Sequence, residues 1–223
     1  MAVGSMGDTM KRSFRTLLLF VGPCLLLSAC AAGSQLHVPG DLARPPRAVP
    51  SAAGAPQAVI ADFSYTAAPD GVVGRDFDRV LPIAWKGEPG KAMANLVAGV
   101  LGERGVVAVR RGADAQGADG IPVRISGVVR RFEVNTRRTG GINVNVEATV
   151  SVLVTAVGSG LSAPQEQTVT SSTALAVLLV TPGDLRESLM STANAVAEEV
   201  ARKLTEGGVF PAAPPAPERG GGK

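Results

Sequence analysis

The chain has 223 residues, a formal net charge of +3, two cysteines and one histidine. With Cys24 and Cys30 as the only thiols and His37 as the only imidazole, disulfide scaffolds, cysteine zinc sites and histidine-based nucleophile–base pairs lack the residues they need. The positive balance comes mainly from residues 1–29, where Lys11, Arg12 and Arg15 face only Asp8; without them the formal charge falls to +1, so a basic chain is here no argument for a nucleic-acid partner.

Lys11, Arg12 and Arg15 precede an apolar run of 11 residues from Leu17 to Leu27. That length suits the apolar core of a signal peptide and is too short to span a bilayer. Leu27-Ser28-Ala29-Cys30 follows, and in this position it resembles the lipobox of bacterial lipoproteins. The resemblance implies cleavage before Cys30, a thioether-linked diacylglycerol on its sulfur and an acyl group such as palmitate on its amine. The chain then meets the membrane through lipid. Two or more acyl chains anchor stably where one does not. Ala31, rather than an aspartate, follows the cysteine, which resembles outer-membrane sorting with the domain facing the periplasm. Met10-Lys11-Arg12 would place a translation start directly on the basic segment.

Residues 30–56 are rich in Ala, Gly, Pro and Ser without an apolar period and read as a flexible tether. Residues 209–223, with Pro-Ala-Ala-Pro-Pro-Ala-Pro, read as a disordered tail. Between them, residues 57–208 are long enough for one α/β domain with a single core. A first strand is expected at 59–65, then a less regular stretch over 66–87. Pro89 opens a helix whose Met93, Leu96, Val97, Val100 and Leu101 recur on one face, with Gly105 as its stop. Strands are expected at 106–110 and 121–134, the second with a bulge at Gly127. The stretch 142–157 alternates cleanly: Ile142, Val144, Val146, Ala148, Val150, Val152 and Val154 against Asn143, Asn145, Glu147, Thr149, Ser151 and Thr155. Such alternation belongs to a sheet with one covered and one wet face. After a strand at 168–177, Thr181-Pro182-Gly183-Asp184 starts a helix with Leu185, Leu189, Ala193, Val196, Val200 and Leu204 inward. The order β-α-β-β-β-β-α predicts an α+β fold: a single mixed, mostly antiparallel sheet with two helices on one face.

No motif carries chemistry. Gly71-x-x-Gly74 lacks a P-loop lysine, and Asp114 and Asp119 lack the ligand density of a calcium loop. No metal, cofactor or catalytic residue is expected. Arg130-Arg131 and Arg137-Arg138 flank a turn at Gly140-Gly141. They read either as a site for an anionic partner such as a lipid headgroup or as a solvated hairpin end. Adjacent strand residues face opposite ways, so neither pair should form a compact patch. The candidate binding surface is the wet face, through Asn143, Asn145, Glu147 and Thr149, or the stretch 66–87, through Arg75, Asp76 and Trp85. Trp85 reads equally as an interface anchor or as a cap on the core.

Ala61-Asp62-Phe63, the helix ending Leu101-Gly102-Glu103-Arg104-Gly105, Val123-Arg124-Ile125-Ser126-Gly127 and the late strand-then-helix resemble small envelope lipoproteins of the YajG-like group and similar domains of unknown function. The resemblance implies a fold like the amino-terminal domain of TolB-type proteins. The function expected is a non-catalytic binding or assembly component of the envelope with a protein partner. Similar size and strand–helix rhythm leave open an auxiliary lipoprotein of an ABC-type lipid-transport system, and, from another class, a hydrolase.

Overall fold

The computed structural model describes residues 35–40, 54–66, 71–112 and 123–210; the signal segment, Cys30, Asp114, Asp119 and the chain beyond 210 lie outside the described residues. In order, the elements are β1 (Leu36–Pro39), β2 (Gln57–Ala61), β3 (Ser64–Tyr65), β4 (Val72–Asp76), β5 (Leu81–Lys86), α1 (Pro89–Glu103), β6 (Val107–Arg111), β7 (Val123–Arg138), β8 (Val144–Gly158), β9 (Gln165–Val177) and α2 (Pro182–Glu206). Nine strands form one mixed sheet, and the two helices pack on one another and on its inner face, giving the α+β architecture expected.

The axis of the sheet is β7, 16 residues long. One edge of β7 pairs antiparallel with β8 along the whole strand, and β8 pairs antiparallel with β9. These two ladders hold most of the pairing, which is why the meander reads so clearly in sequence. The other edge of β7 is divided among three shorter parallel strands. Val123–Ile125 pair with β2, Val128 and Val129 with β3, and Thr136 with Asp76 of β4. β2 then carries β6, while β4 carries β5 and β5 carries β1. The sheet is therefore forked, with one arm leaving each end of β7.

Helix α1 starts with Pro89 in its first turn, buries Met93, Leu96, Val97, Val100 and Leu101, and ends before Gly105, whose φ is +83°. Helix α2 is capped reciprocally. Thr181 Oγ1 accepts from the Asp184 amide at 3.3 Å and Asp184 Oδ2 accepts from the Thr181 amide at 2.8 Å, which satisfies donors that a helix start otherwise leaves open. Its stripe of Leu185, Leu189, Ala193, Val196, Val200 and Leu204 is buried against β8 and β9. Each leucine fully withdrawn from water contributes about 1.5–3 kcal/mol. On β8 the predicted inward set from Val144 to Val154 is buried, while Asn145, Glu147 and Thr149 remain accessible. Ile142 is the exception: it sits in the turn before β8 and is 74% exposed.

Several local expectations change. The strand expected at 59–65 breaks at Asp62-Phe63. Arg110 of β6 explains the break: its Nη1 donates to the carbonyls of Ile60 at 2.7 Å and Ala61 at 2.9 Å, and its Nη2 pairs with Asp62. Within the stretch 66–87 read as irregular, Val72–Asp76 and Leu81–Lys86 pair as the β4–β5 hairpin, which buries Val73, Ile83, Ala84 and Trp85. Neither strand alternates cleanly: Gly74 interrupts the first, and Ile83, Ala84 and Trp85 are buried in succession in the second. Within the segment read as tether, β1 pairs parallel with β5 and buries Val38 completely, so His37, exposed on this edge strand, belongs to the fold.

The bulge lies at Arg130, not Gly127. Val129 pairs with Val152 and Arg131 with Ser151, leaving Arg130 as the extra residue. At Gly127 the pattern slips for another reason. A Cβ there would lie 2.9 Å from Phe63 Cδ2 and 3.0 Å from the Leu153 carbonyl oxygen; the missing side chain is the space that the Phe63 ring occupies.

Candidate functional site: an arginine-lined cleft in the fork of the sheet

Every second residue of a strand shares a face. On β7, Ile125, Gly127 and Val129 share the inner face, so an unbroken period would turn Arg131 inward next. The bulge breaks this alternation. Phe132 becomes the next inward residue, 1% exposed, and Arg130 and Arg131 are both exposed. Bulges commonly re-aim side chains in this way. The expectation that the two arginines face opposite ways is thus overturned.

The bulge falls where β7 changes neighbours. Between the end of pairing with β3 at Val129 and the contact with β4 at Thr136, the edge of β7 opens into a cleft of about 630 Å³. Tyr65 and Thr66 line one wall, Val72 to Arg75 the other, and Arg130, Arg131, Glu133 and Asn135 come from β7. Phe132 lies beneath them. Its ring meets Tyr65 edge-on at 6.4 Å and Trp85 edge-on at 5.2 Å. The far wall is held close to β7: a Cβ on Gly74 would lie 1.7 Å from the Val134 carbonyl oxygen, so only glycine fits. Asn135 Oδ1 accepts from the Arg75 amide at 3.0 Å, tying the same wall at a second point.

Three guanidinium groups serve this cleft. Arg131 Nε is 3.6 Å from Glu133 Oε1, while the Arg75 and Arg130 side chains have no ion-pair partner among the described residues. Burial, and secondarily the Glu133 charge, push the Tyr65 hydroxyl above its ordinary value of 10.0, so at neutral pH it stays protonated as a hydrogen-bond donor. The cleft therefore offers cations and a donor around an aromatic floor. Planar guanidinium groups match the oxygens of phosphate or carboxylate.

The sequence-derived surface residues divide between different places. Arg75 lines the cleft. Asp76 is buried, and its Oδ1 accepts from the amides of Asp78 at 3.1 Å and Arg79 at 3.2 Å, which shapes the β4–β5 turn. Trp85 is 4% exposed and belongs to the core, the second of its two readings. Asn145, Glu147 and Thr149 lie on the outer face of β8, and Asn143 is exposed just before it. Across that face Thr149 and Ser172 hydroxyls are 3.0 Å apart, and those of Ser151 and Thr170 2.8 Å apart. This surface is flat and internally hydrogen-bonded. Of the polar cleft residues, Arg130 and Arg131 carry in sequence the reading of an anionic site beside that of a solvated hairpin end, whereas nothing there singles out Tyr65; the signal that both arginines meet the cleft is the skipped step between inward Val129 and inward Phe132. Among the described residues, no three His, Cys, Asp or Glu side chains converge as metal ligands, and no helix is long and apolar enough to cross a membrane.

No family model matches the chain, and no curated protein matches it. Comparison with solved structures finds likenesses. A Xanthomonas campestris protein described by the family model DUF330 is 14% identical, covers 77% of this chain and 95% of its own, and superposes with a TM-score of 0.52. A PelC dodecamer from Paraburkholderia phytofirmans is 16% identical, with coverage of 68% and 89% and a TM-score of 0.39. A minor lipoprotein from Acinetobacter baumannii is 10% identical, with coverage of 67% and 93% and a TM-score of 0.37. The first of these likenesses is one of fold.

Proposed function

We propose that this chain is a lipid-anchored protein of the bacterial envelope, facing the periplasm, that binds its ligand without transforming it. The anchor reading rests on Leu27-Ser28-Ala29-Cys30 behind a basic and an apolar segment. The binding reading rests on one observation: Arg75 and Arg130 reach the same cleft without carboxylate partners among the described residues. Structural arginines are ordinarily paired or spread over a solvated face; two without a carboxylate partner among the described residues, beside a protonated tyrosine, suit an anionic group, in first place a phosphorylated headgroup. Such a ligand fits an envelope-assembly component and equally an auxiliary lipoprotein of a lipid-transport system. The outer face of β8, with its hydroxyl ladder, remains available for an envelope protein.

Two measurements test this. Intact-mass analysis of membrane-extracted protein should show an acylated chain beginning at Cys30; an unmodified chain would refute the anchor. Titration of the mature protein with glycerol 3-phosphate, followed by the NMR signals of arginine side chains, should shift those of Arg75 and Arg130. Binding should be lost in Arg75→Ala and Arg130→Ala variants that still fold. Equal affinity in parent and variants would show that the cleft is not the site.

A further inference from the structure

Five large apolar side chains cluster at the end of the sheet where β7 finishes. Phe77 is 55% exposed, Val80 67%, Ile142 74%, Leu178 68% and Leu179 66%. They come from three turns: β4 to β5, β7 to β8, and β9 to α2. The pairings Asp76 with Thr136 and Val144 with Val177 bring those turns to one end. Leu178 and Leu179 also share a pocket with Asp78, Arg79 and Arg138. Isolated exposed apolar residues are ordinary, whereas a group of this kind marks a contact surface. Val80 adds a second sign. It holds φ at +56°, the only non-glycine residue with positive φ among those described, in a region that a β-branched side chain seldom enters. An exposed valine kept in a strained position is unexplained by the fold's own packing.

The direction of the chain identifies what meets this tip. β1 runs parallel to β5, with Leu36 opposite Ile83. Leu81 begins β5 at the tip turn, so the described chain enters at the same end, close to the base of that turn. Cys30 lies six residues before Leu36, and six residues span at most about 22 Å even when fully extended. Given the lipid anchor proposed above, on which this inference rests, the tip is the part of the domain held nearest the bilayer. Charge agrees. Asp76 is buried, and Asp78 accepts from the Arg138 amide at 3.2 Å and pairs with its guanidinium at 3.4 Å, while Arg137 is exposed beside them without an ion-pair partner among the described residues. The opposite end, where both helices finish, instead carries Glu103, Arg104, Glu199, Arg202, Lys203 and Glu206.

We infer that the tip formed by Phe77, Val80, Ile142, Leu178 and Leu179 inserts into the headgroup region of the leaflet that holds the Cys30 lipid. The anchor sets proximity and the tip sets orientation. This places the long axis of β7 steeply to the membrane, with the arginine cleft partway along it.

The test uses full-length, lipidated protein in vesicles of phosphatidylethanolamine and phosphatidylglycerol. Ile142→Cys, Leu178→Cys and Gly160→Cys each add one free thiol for an environment-sensitive fluorophore; Gly160 sits in the β8–β9 turn at the far end, with open space around it. Vesicles containing spin-labelled lipid should remove most of the emission from labels at 142 and 178 and leave the label at 160 unchanged. A Leu178→Glu/Leu179→Glu background should restore emission at 142. Equal quenching at all three positions, or none at 142 and 178 in protein whose acyl mass is confirmed, overturns the insertion while leaving the anchor intact. A blue shift at 142 and 178 without lipid quenching would place them against another copy or another protein, and overturns it equally. Absence of acyl mass removes the anchor itself.

Discussion

Replacing Phe132 with leucine tests whether one ring holds the forked sheet together. Phe132 is 1% exposed and meets Tyr65 of β3 at 6.4 Å and Trp85 of β5 at 5.2 Å, both edge-on. Leucine keeps most of the apolar burial but removes both ring contacts. Each such pair contributes about 0.5–1.5 kcal/mol beyond area burial, so the two together predict a loss of about 1–3 kcal/mol. Alanine, which also leaves a cavity, should cost about 3–5 kcal/mol. Trp85 is the single tryptophan and is buried, so its emission reports urea unfolding without a label. Midpoints for parent, Phe132→Leu and Phe132→Ala should fall in that order with unchanged slope. If the leucine variant lies within about 0.5 kcal/mol of the parent, the size of an ordinary surface substitution, the ring contacts do not join the two arms to β7.

Two further outcomes follow from the same region and from the tip. Tyr65 is the only tyrosine, so ultraviolet titration reads it alone; its tyrosinate band should rise above pH 10.0, and Glu133→Gln should lower that midpoint only in part because burial is the larger cause. Because the folded state holds the Tyr65 proton more tightly, stability should be constant in this respect below about pH 10 and fall as pH rises beyond it; a tyrosinate band appearing at or below the ordinary value would contradict the burial argument. Val80→Asn should raise stability by about 1 kcal/mol, since asparagine tolerates the left-handed region better than valine, and thermal melting checks this. A lower melting temperature would mean that Val80 packs in a way its exposure does not suggest.

What sequence reading recovers here depends on the distance over which information acts. The stripes of α1 and α2, the Thr181–Asp184 cap and the alternation of β8 are properties of neighbouring residues, and, exposed Ile142 and buried Ser151 apart, each stands in the structure as expected. The pairing of β7 with β2, β3 and β4 is not local. Around Gly74 the run Val72–Asp76 carries no alternation that distinguishes it from a loop, and its partner strand makes it β-structure. The arginine cleft is legible in retrospect through a single irregularity: inward Val129 and inward Phe132 are three apart where a strand allows two. Gly127 attracted the bulge because glycine often marks one, whereas here the glycine makes room for Phe63. Trp85 could not be assigned from sequence, since a lone aromatic serves core and interface alike.

The division of β7 between its two edges also separates short-range from long-range pairing. Residues 123–206 form three sequential antiparallel strands and the helix that covers them, with contacts between near neighbours in the chain. Contacts of such short sequence separation cost less chain entropy than pairings across long stretches of chain. The strands β2, β3 and β4 pair with the other edge of β7 across about 60 residues of chain or more and carry β6, β5 and β1 with them. The cleft is therefore the seam between a half built from short-range pairing and a half joined to it by long-range pairing, and Tyr65 and Arg75 enter it from the second. A bound anion spanning Arg75 and Arg130 would clasp the two halves, so that ligand occupancy and local opening of the β4–β5 arm become opposing states of one equilibrium.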